Sequence, residues 1–274
     1  MNINTQWIIV TDLDGTLINH HDYSVDAAIP FISELKQKHI PVIFNTSKTF
    51  HESIELQNKL NIDAPFIVEN GSCIYYPKSV YEFPPEGSID KDTHWAQIIG
   101  REQSDIRSIL NKLNIDKSNY KLLSNCSISE AVKLTGLTND QAKLAIAREF
   151  SEPLVWLSSD SDFIHFKKQV EKSNLNMLQG GRFQHILGNC DKGIATQKLM
   201  KSYSSKNKSI KTIVLGDSAN DAAMINIADI SIIVNSPSNT QLEKLTNANF
   251  KTNNQAPQGW VDGVQEALLK IDKI

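Results

Sequence analysis

The chain is predicted to be α/β: a doubly wound, mostly parallel sheet interrupted by an inserted α+β domain. Three observations predict this. Short apolar runs alternate with helix-patterned stretches at the start of the chain, which is the pattern of a parallel sheet with right-handed crossovers. The apolar runs end in carboxylates, hydroxyls or glycines, the groups that open α/β sheets carry at their strand C-termini. The alternation breaks near Phe83 and resumes at Ile213 after a block of different character.

The elements follow in order. Trp7, Ile8, Ile9 and Val10 form a buried strand running into Asp12, Leu13, Asp14, Gly15 and Thr16. Val25, Ala28, Ile29, Ile32 and Leu35 recur at helical spacing behind the cap residue Ser24, with Pro30 delaying or kinking the helix start. Val42, Ile43 and Phe44 form a second strand ending at Thr46, Ser47 and Lys48; a helix through Ile54 and Leu60 follows. Phe66, Ile67 and Val68 form a third, and Asn70-Gly71 turns the chain into Cys73, Ile74, Tyr75 and Tyr76. Pro84, Pro85 and Gly87 read as a linker. The insert then offers helices capped by Ser104 and Thr138, a strand at 154–157, a helix from Asp160 or Ser161, and a hairpin over 177–187 turning at Gly180-Gly181. Strands at 213–215 and 230–234 and a terminal helix holding Trp260, Val264 and Leu268 complete the sheet domain. The boundaries this predicts are 1–83 with 188–274 for the core and 84–187 for the insert.

Bulk properties exclude several classes. The 274 residues are 40% hydrophobic and 22% charged, ordinary for a globular chain. A net charge of −3 gives no electrostatic case for nucleic acid. No apolar run approaches a membrane span, and the N-terminus lacks signal-peptide regions. Cys73, Cys126 and Cys190 match no metal or redox spacing and read as reduced thiols of a cytoplasmic protein. Oligomeric state is not legible.

The chemistry starts at Asp12 and Asp14. In an extended chain both point to one face. At roughly 5 Å and an effective dielectric of about 20, two carboxylates repel by on the order of 3 kcal/mol, so a cation or a shared proton is needed. A calcium loop would place a bidentate glutamate where Tyr23 stands, so that reading fails. Alone, the pair also reads as turn and cap aspartates.

Here the chain resembles the haloacid dehalogenase superfamily of phosphatases, whose first motif is a hydrophobic strand followed by Asp-x-Asp-Gly-Thr. The resemblance implies a Rossmann-like core with an inserted cap domain, dependence on Mg2+, and an aspartyl-phosphate intermediate. Asp12 is then the nucleophile, and Asp14 the acid that protonates the leaving oxygen and later the base that deprotonates water. A hydroxyl of Thr46 or Ser47, at a strand end before a helix, can donate to a phosphate oxygen; the superfamily pattern favours Thr46. Lys192, in Asp191-Lys192-Gly193, can neutralise phosphate and nucleophile together. Asp12, the Asp14 backbone carbonyl and Asp217 can hold the metal, with Asp221 or Asn220 of the 216–221 run assisting. Each motif alone reads as a cap, a turn or a solvated lysine; the four in order, with the insert between the second and third, carry the assignment.

Longer stretches, among them Asn45-Thr46-Ser47-Lys48-Thr49, Phe66 to Gly71, Arg148 to Pro153 and Gly180 to His185, resemble the mannosyl-3-phosphoglycerate phosphatase family over nearly the whole chain. That resemblance implies a phosphorylated sugar-glycerate as substrate, mannosylglycerate (a compatible solute) as product, and Asn70 among the substrate-binding residues. Such a substrate carries phosphate and carboxylate together, so further cations are expected; Lys48, Arg182 and His185 are the candidates. Arg182 and His185 are three apart and need a bulge at Gly180-Gly181 to converge. His20 or His21 can border the entrance, and Glu149 and Glu152 can accept sugar hydroxyls. A glucosyl substrate, another sugar phosphate, and a non-catalytic phosphoglycan-binding protein remain the alternatives.

Overall fold

The computed structural model describes residues 4–179, 183–203 and 208–271. Its N-terminal part contains β1 (Asn4–Thr11), α1 (Ile29–Gln37), β2 (Val42–Phe44), α2 (Phe50–Leu60), β3 (Phe66–Val68), β4 (Cys73–Pro77), β5 (Ile89–Lys91) and β6 (His94–Ile98). The middle contains α3 (Gln103–Lys112), β7 (Tyr120–Leu122), α4 (Ile128–Thr135), α5 (Asn139–Ile146), β8 (Ser151–Trp156), α6 (Asp160–Lys172), β9 (Asn176–Gln179) and β10 (Gln184–Leu187). The C-terminal part contains α7 (Lys192–Tyr203), β11 (Lys208–Gly216), α8 (Ala222–Ile225), β12 (Ile230–Asn235), α9 (Asn239–Leu245), β13 (Phe250–Gln255) and α10 (Gln258–Ile271).

The central sheet is parallel, in the order β13-β12-β11-β1-β2. Alternation along the strands feeds two cores. Ile9, Phe44, Leu215 and Ile232 face α1 and α10, packing with Leu35, Trp260 and Val264. Ile8, Val10, Ile43 and Val214 face the other side, with Ala195, Leu199, Met224 and Leu242 of α7, α8 and α9. The fold is therefore doubly wound, as the apolar runs predicted. Pro30 sits in the first turn of α1, where its missing N–H costs nothing, so the helix begins there and not at Ser24.

A second sheet, β3-β4-β6-β5, is antiparallel and joins the first through a parallel bridge between Asn45 and Ile67. β6 pairs with β4 along its length, Cys73 to Pro77 against Ile98 to His94. Residues 89–98 thus hydrogen-bond within the core, and the 83/84 boundary expected from sequence falls inside this sheet. The proline-rich stretch is a loop between two strands of one layer. The two connections to the insert run side by side at Gly100 and Gly188; a Cβ on Gly188 would lie 2.6 Å from the Gly100 carbonyl carbon. We propose that the cap spans 100–187.

The cap is α+β: an antiparallel sheet β7-β8-β10-β9 packed on α3 and α6 through Ile106, Leu110, Leu154, Phe166 and Val170. Thr138 caps α5 with a capping box to Gln141, as expected. α3 starts two residues earlier than expected, with Glu102 and not Ser104 at the N-cap position. β9 and β10 form the expected hairpin, with Gln179 opposite Gln184; its turn at Gly180-Gly181 and the candidate Arg182 lie outside the described residues. Among the described residues no helix is long and apolar enough to cross a membrane.

Candidate active site

The parallel register builds the site. β1 and β11 align Thr11 with Leu215, and β2 aligns Phe44 with Thr11. The chain therefore leaves three neighbouring strands on one edge, at Asp12, Asp217 and Asn45-Thr46. A hydrogen bond from Asp12 N to Leu215 O, 3.0 Å, fixes the first of these. Gly15 has φ +84°, and a Cβ there would press on His20 and lie 2.5 Å from Asp217 Oδ2. Only glycine lets the loop turn this tightly against the second carboxylate.

Lys192 enters from the first turn of α7. Asn45 Nδ2 donates to Lys192 O and to Thr196 Oγ1, both 2.9 Å, which ties that helix start to the end of β2. The Lys192 side chain has no solvent exposure. Its Nζ lies 2.5 Å from Asp12 Oδ1 and 2.7 Å from Asp221 Oδ1. Asp221 Oδ2 accepts the backbone N–H groups of Asp217, 2.9 Å, and Ser218, 3.0 Å. Thr16 Oγ1 reaches Asp12 Oδ2 at 3.2 Å and Asp217 Oδ1 at 3.4 Å.

Asp12, Asp217 and Asp221 each place one carboxylate oxygen within 4.8 Å of the others. Burial pushes the Asp12 carboxyl up to about 8; Lys192 opposes this, while Asp221 and Asp217 add to it. Burial pulls the Lys192 ammonium down, but Asp12 and Asp221 outweigh it and the net shift is upward. One lysine against three buried carboxylates leaves surplus negative charge, which suits a hard dication with oxygen ligands. The donors are not equal. Asp221 accepts three hydrogen bonds, from Lys192 and two backbone N–H groups, so this residue orders the lysine and the loop. Asp12 accepts two, and Asp217 has only the 3.4 Å contacts with Thr16 and His20, which leaves these two carboxylates more lone pairs for a cation.

A cavity of about 520 Å³ opens between this cluster and the cap. Asp12, Asp14, His20, Ser47, Lys48, Asp217 and Asn220 line it from the core, and Arg148, Phe183 and His185 from the cap. Asp14 is partly exposed, and Lys48 Nζ sits 3.0 Å from its Oδ1 and 3.6 Å from Glu52 Oε1. Burial lowers the Lys48 pKa, but Asp14 and Glu52 more than reverse that. Ser47 reaches the cavity; Thr46 is fully buried and its Oγ1 accepts the Lys48 N–H at 3.1 Å. His185 lies at the wall, 7% exposed.

Other expected residues face elsewhere. Asn70 is buried at φ 58°, and its Oδ1 accepts from Asn220 Nδ2 at 3.1 Å, bracing the loop after β11. Glu149 accepts from Tyr75 Oη, 3.2 Å, and Lys91 Nζ, 2.7 Å. Glu152 is buried against Ser124. These two acids are structural partners, not part of the cavity wall. Sequence reasoning missed Arg148 and Thr16. Thr16 was visible inside the first motif; Arg148, in a short connection before β8, had no local signal.

The model of the haloacid dehalogenase-like hydrolases matches residues 9–259. The chain belongs to that family. Within it, the chain is 35% identical over 270 residues to a glucosyl-3-phosphoglycerate/mannosyl-3-phosphoglycerate phosphatase of Persephonella marina, covering 97% of this chain and 98% of that one. It is 30% identical over 239 residues to a mannosyl-3-phosphoglycerate phosphatase of Pyrococcus furiosus, covering 87% and 95%. Among solved structures, a Streptococcus mutans protein superposes with a TM-score of 0.67 at 20% identity, over 97% and 99% of the two chains. A subclass IIB sugar phosphatase of the superfamily superposes with a TM-score of 0.64 at 13% identity, over 97% and 99%. The expected membership in the mannosyl-3-phosphoglycerate phosphatase family is borne out, and the protein is a phosphatase.

Proposed function

We propose that this phosphatase hydrolyses a glycosyl-3-phosphoglycerate, mannosyl-3-phosphoglycerate foremost, to the glycosylglycerate and phosphate. The observation that carries the chemistry is the buried contact of Lys192 with Asp12, which lines a cavity together with Asp14. The observation that carries the substrate is near full-length similarity to enzymes named for these esters; the Persephonella marina relative is named for both the glucosyl and mannosyl forms, so the glucosyl ester is the second reading.

An Asp12 oxygen attacks phosphorus and the bond from phosphorus to the glycerate oxygen breaks. Asp14 gives its proton to the departing alkoxide. It then takes a proton from the water that attacks the aspartyl phosphate, and phosphate leaves with Asp12 restored. Lys192 holds the Asp12 carboxylate in place and offsets the incoming phosphate charge. Ser47, and Thr46 through the hydroxyl proton left free by its contact with Lys48 N, are the neutral donors to the phosphoryl oxygens. Mg2+, held by Asp12, Asp217 and the Asp14 carbonyl, would supply charge neutralisation at the phosphoryl group. The three cysteines are free thiols, which supports a cytoplasmic location.

Phosphate release from mannosyl- and glucosyl-3-phosphoglycerate, compared with a panel of plain sugar phosphates, tests the reading. The glycosyl-3-phosphoglycerates are expected to lead by kcat/KM. Release by Asp12→Asn equal to that of the unaltered enzyme would reject the nucleophile.

A further inference from the structure

The lysines and His20 near the reaction centre each meet a carboxylate within 3.6 Å. Lys192 meets Asp12 and Asp221, Lys48 meets Asp14 and Glu52, and His20 Nε2 lies 3.4 Å from Asp217 Oδ2. Arg148 differs. Its side chain is 8% exposed, yet Nη1 donates only to neutral oxygens, Ser47 O at 3.0 Å and Ser151 Oγ at 3.2 Å. Its Nε has no partner among the described residues. The carboxylate it approaches, Glu69, stays 3.9 Å away. Glu69 is itself satisfied by Glu149 N at 2.9 Å, Phe150 N at 3.2 Å and Ser151 Oγ at 2.5 Å.

A buried guanidinium whose carboxylate neighbour stands at 3.9 Å, outside hydrogen-bond distance, keeps part of its desolvation cost. Its cost is removed when a ligand brings the anion. Arg148 stands on the wall of the cavity, so a ligand can do this. His185, from the neighbouring strand β10, lines the same wall, and its Nδ1 also lacks a partner. The phosphoryl group has its own partners at Asp12, Lys192 and the 46–47 hydroxyls. Arg148 comes from the cap and touches that loop only through the Ser47 carbonyl. A molecule whose phosphoryl group sits at Asp12 and which reaches Arg148 across the same cavity can bring that guanidinium a second anionic group.

We infer that Arg148 binds the carboxylate of the glycerate leaving group, with His185 beside it, and is the specificity-determining cation of the cap. The inference rests on the proposed glycerate ester, but its test does not need the sugar. 3-Phosphoglycerate and glycerol 3-phosphate differ only in a carboxylate against a hydroxymethyl group. The unaltered enzyme is expected to prefer the former by about tenfold or more in kcat/KM. Arg148→Met is expected to erase that preference, chiefly through KM for 3-phosphoglycerate, while Arg148→Lys keeps part of it.

An unaltered enzyme with no preference, or an Arg148→Met enzyme that keeps it, overturns the inference. So does an equal loss on both esters, which would assign Arg148 to the phosphate or to packing. Should Arg148→Met fail to fold, inhibition of the unaltered enzyme decides: D-glycerate must compete with substrate at concentrations where glycerol does not. Poor turnover of every glycosyl-3-phosphoglycerate, with the carboxylate preference and its loss both present, would sink the proposed substrate and leave Arg148's role standing.

Discussion

Lys192 Nζ and Asp12 Oδ1 meet at 2.5 Å across 180 residues of sequence, with no solvent at the lysine. This pair joins the start of α7 to the end of β1, and Asp221 completes it from the loop after β11. A buried triad of this kind is costly to break from one side.

Lys192→Met is therefore expected to destabilise the fold by about 3–5 kcal/mol, because two carboxylates lose their common cation. Adding Asp221→Asn should return part of that loss. Urea denaturation of the single and double variants measures both, and a double variant no more stable than the single would contradict the coupling.

Asp217 and Asp221 are expected to separate in metal binding. Mg2+ at about a hundred times its Kd should stabilise the unaltered protein by roughly 2.7 kcal/mol, read as a rise in Tm. Asp217→Asn should abolish that rise. Asp221→Asn should lower Tm in the absence of metal, since two backbone N–H groups and Lys192 lose an acceptor, yet keep some response to Mg2+. An Asp217→Asn protein that still responds fully would remove Asp217 from the ligand set.

Gly15→Ala tests the turn after Asp12, the proposed nucleophile. The added methyl group meets Asp217 Oδ2, and φ +84° is unfavourable for alanine by about 1–2 kcal/mol. Phosphatase activity should fall more than stability, because the collision displaces the Asp217 carboxylate and not the core. Circular dichroism melts beside kcat measurements report the two effects separately.

His185 sets a pH dependence. Burial, with Arg148's charge adding, depresses its pKa from 6.5 to about 3. The folded state holds the imidazole neutral where the unfolded chain takes up a proton. This contribution to stability is complete above pH 6.5 and is lost as pH falls toward 3. Near pH 5 the loss is about 2 kcal/mol. His185→Asn should flatten the stability profile between those limits, and an unchanged slope would show that the imidazole protonates freely in the folded protein.

Some of this was legible along the chain. The strands at 7–10, 42–44, 66–68, 213–215 and 230–234 are apolar runs that bury on both faces, and Thr138 announces α5 by its capping box. β5 and β6 escaped notice because Ile89 to Lys91 and His94 to Ile98 mix charge, aromatic and amide without alternation; only pairing with β4 makes them strands. β13 is an edge strand with polar residues outward, and its sequence resembles a loop. Arg148 and Glu69 are 79 positions apart and were unremarkable singly; Glu69 carries φ 49° and accepts the Glu149 and Phe150 N–H groups and the Ser151 hydroxyl only once cap and core meet.

By itself the sequence determined the doubly wound core, the order of the four motifs, and the family to which they belong. These are written in local pattern: apolar periodicity, and the residue types at strand ends. Tertiary structure alone decided that Asp221 serves Lys192 and the loop, that Lys48 faces Asp14, that Asn70 braces Asn220, and that Arg148 meets Glu69 only at 3.9 Å. Those outcomes depend on which side chains the parallel register and the docked cap bring within hydrogen-bond distance. Contact between distant segments has no signature in either segment alone.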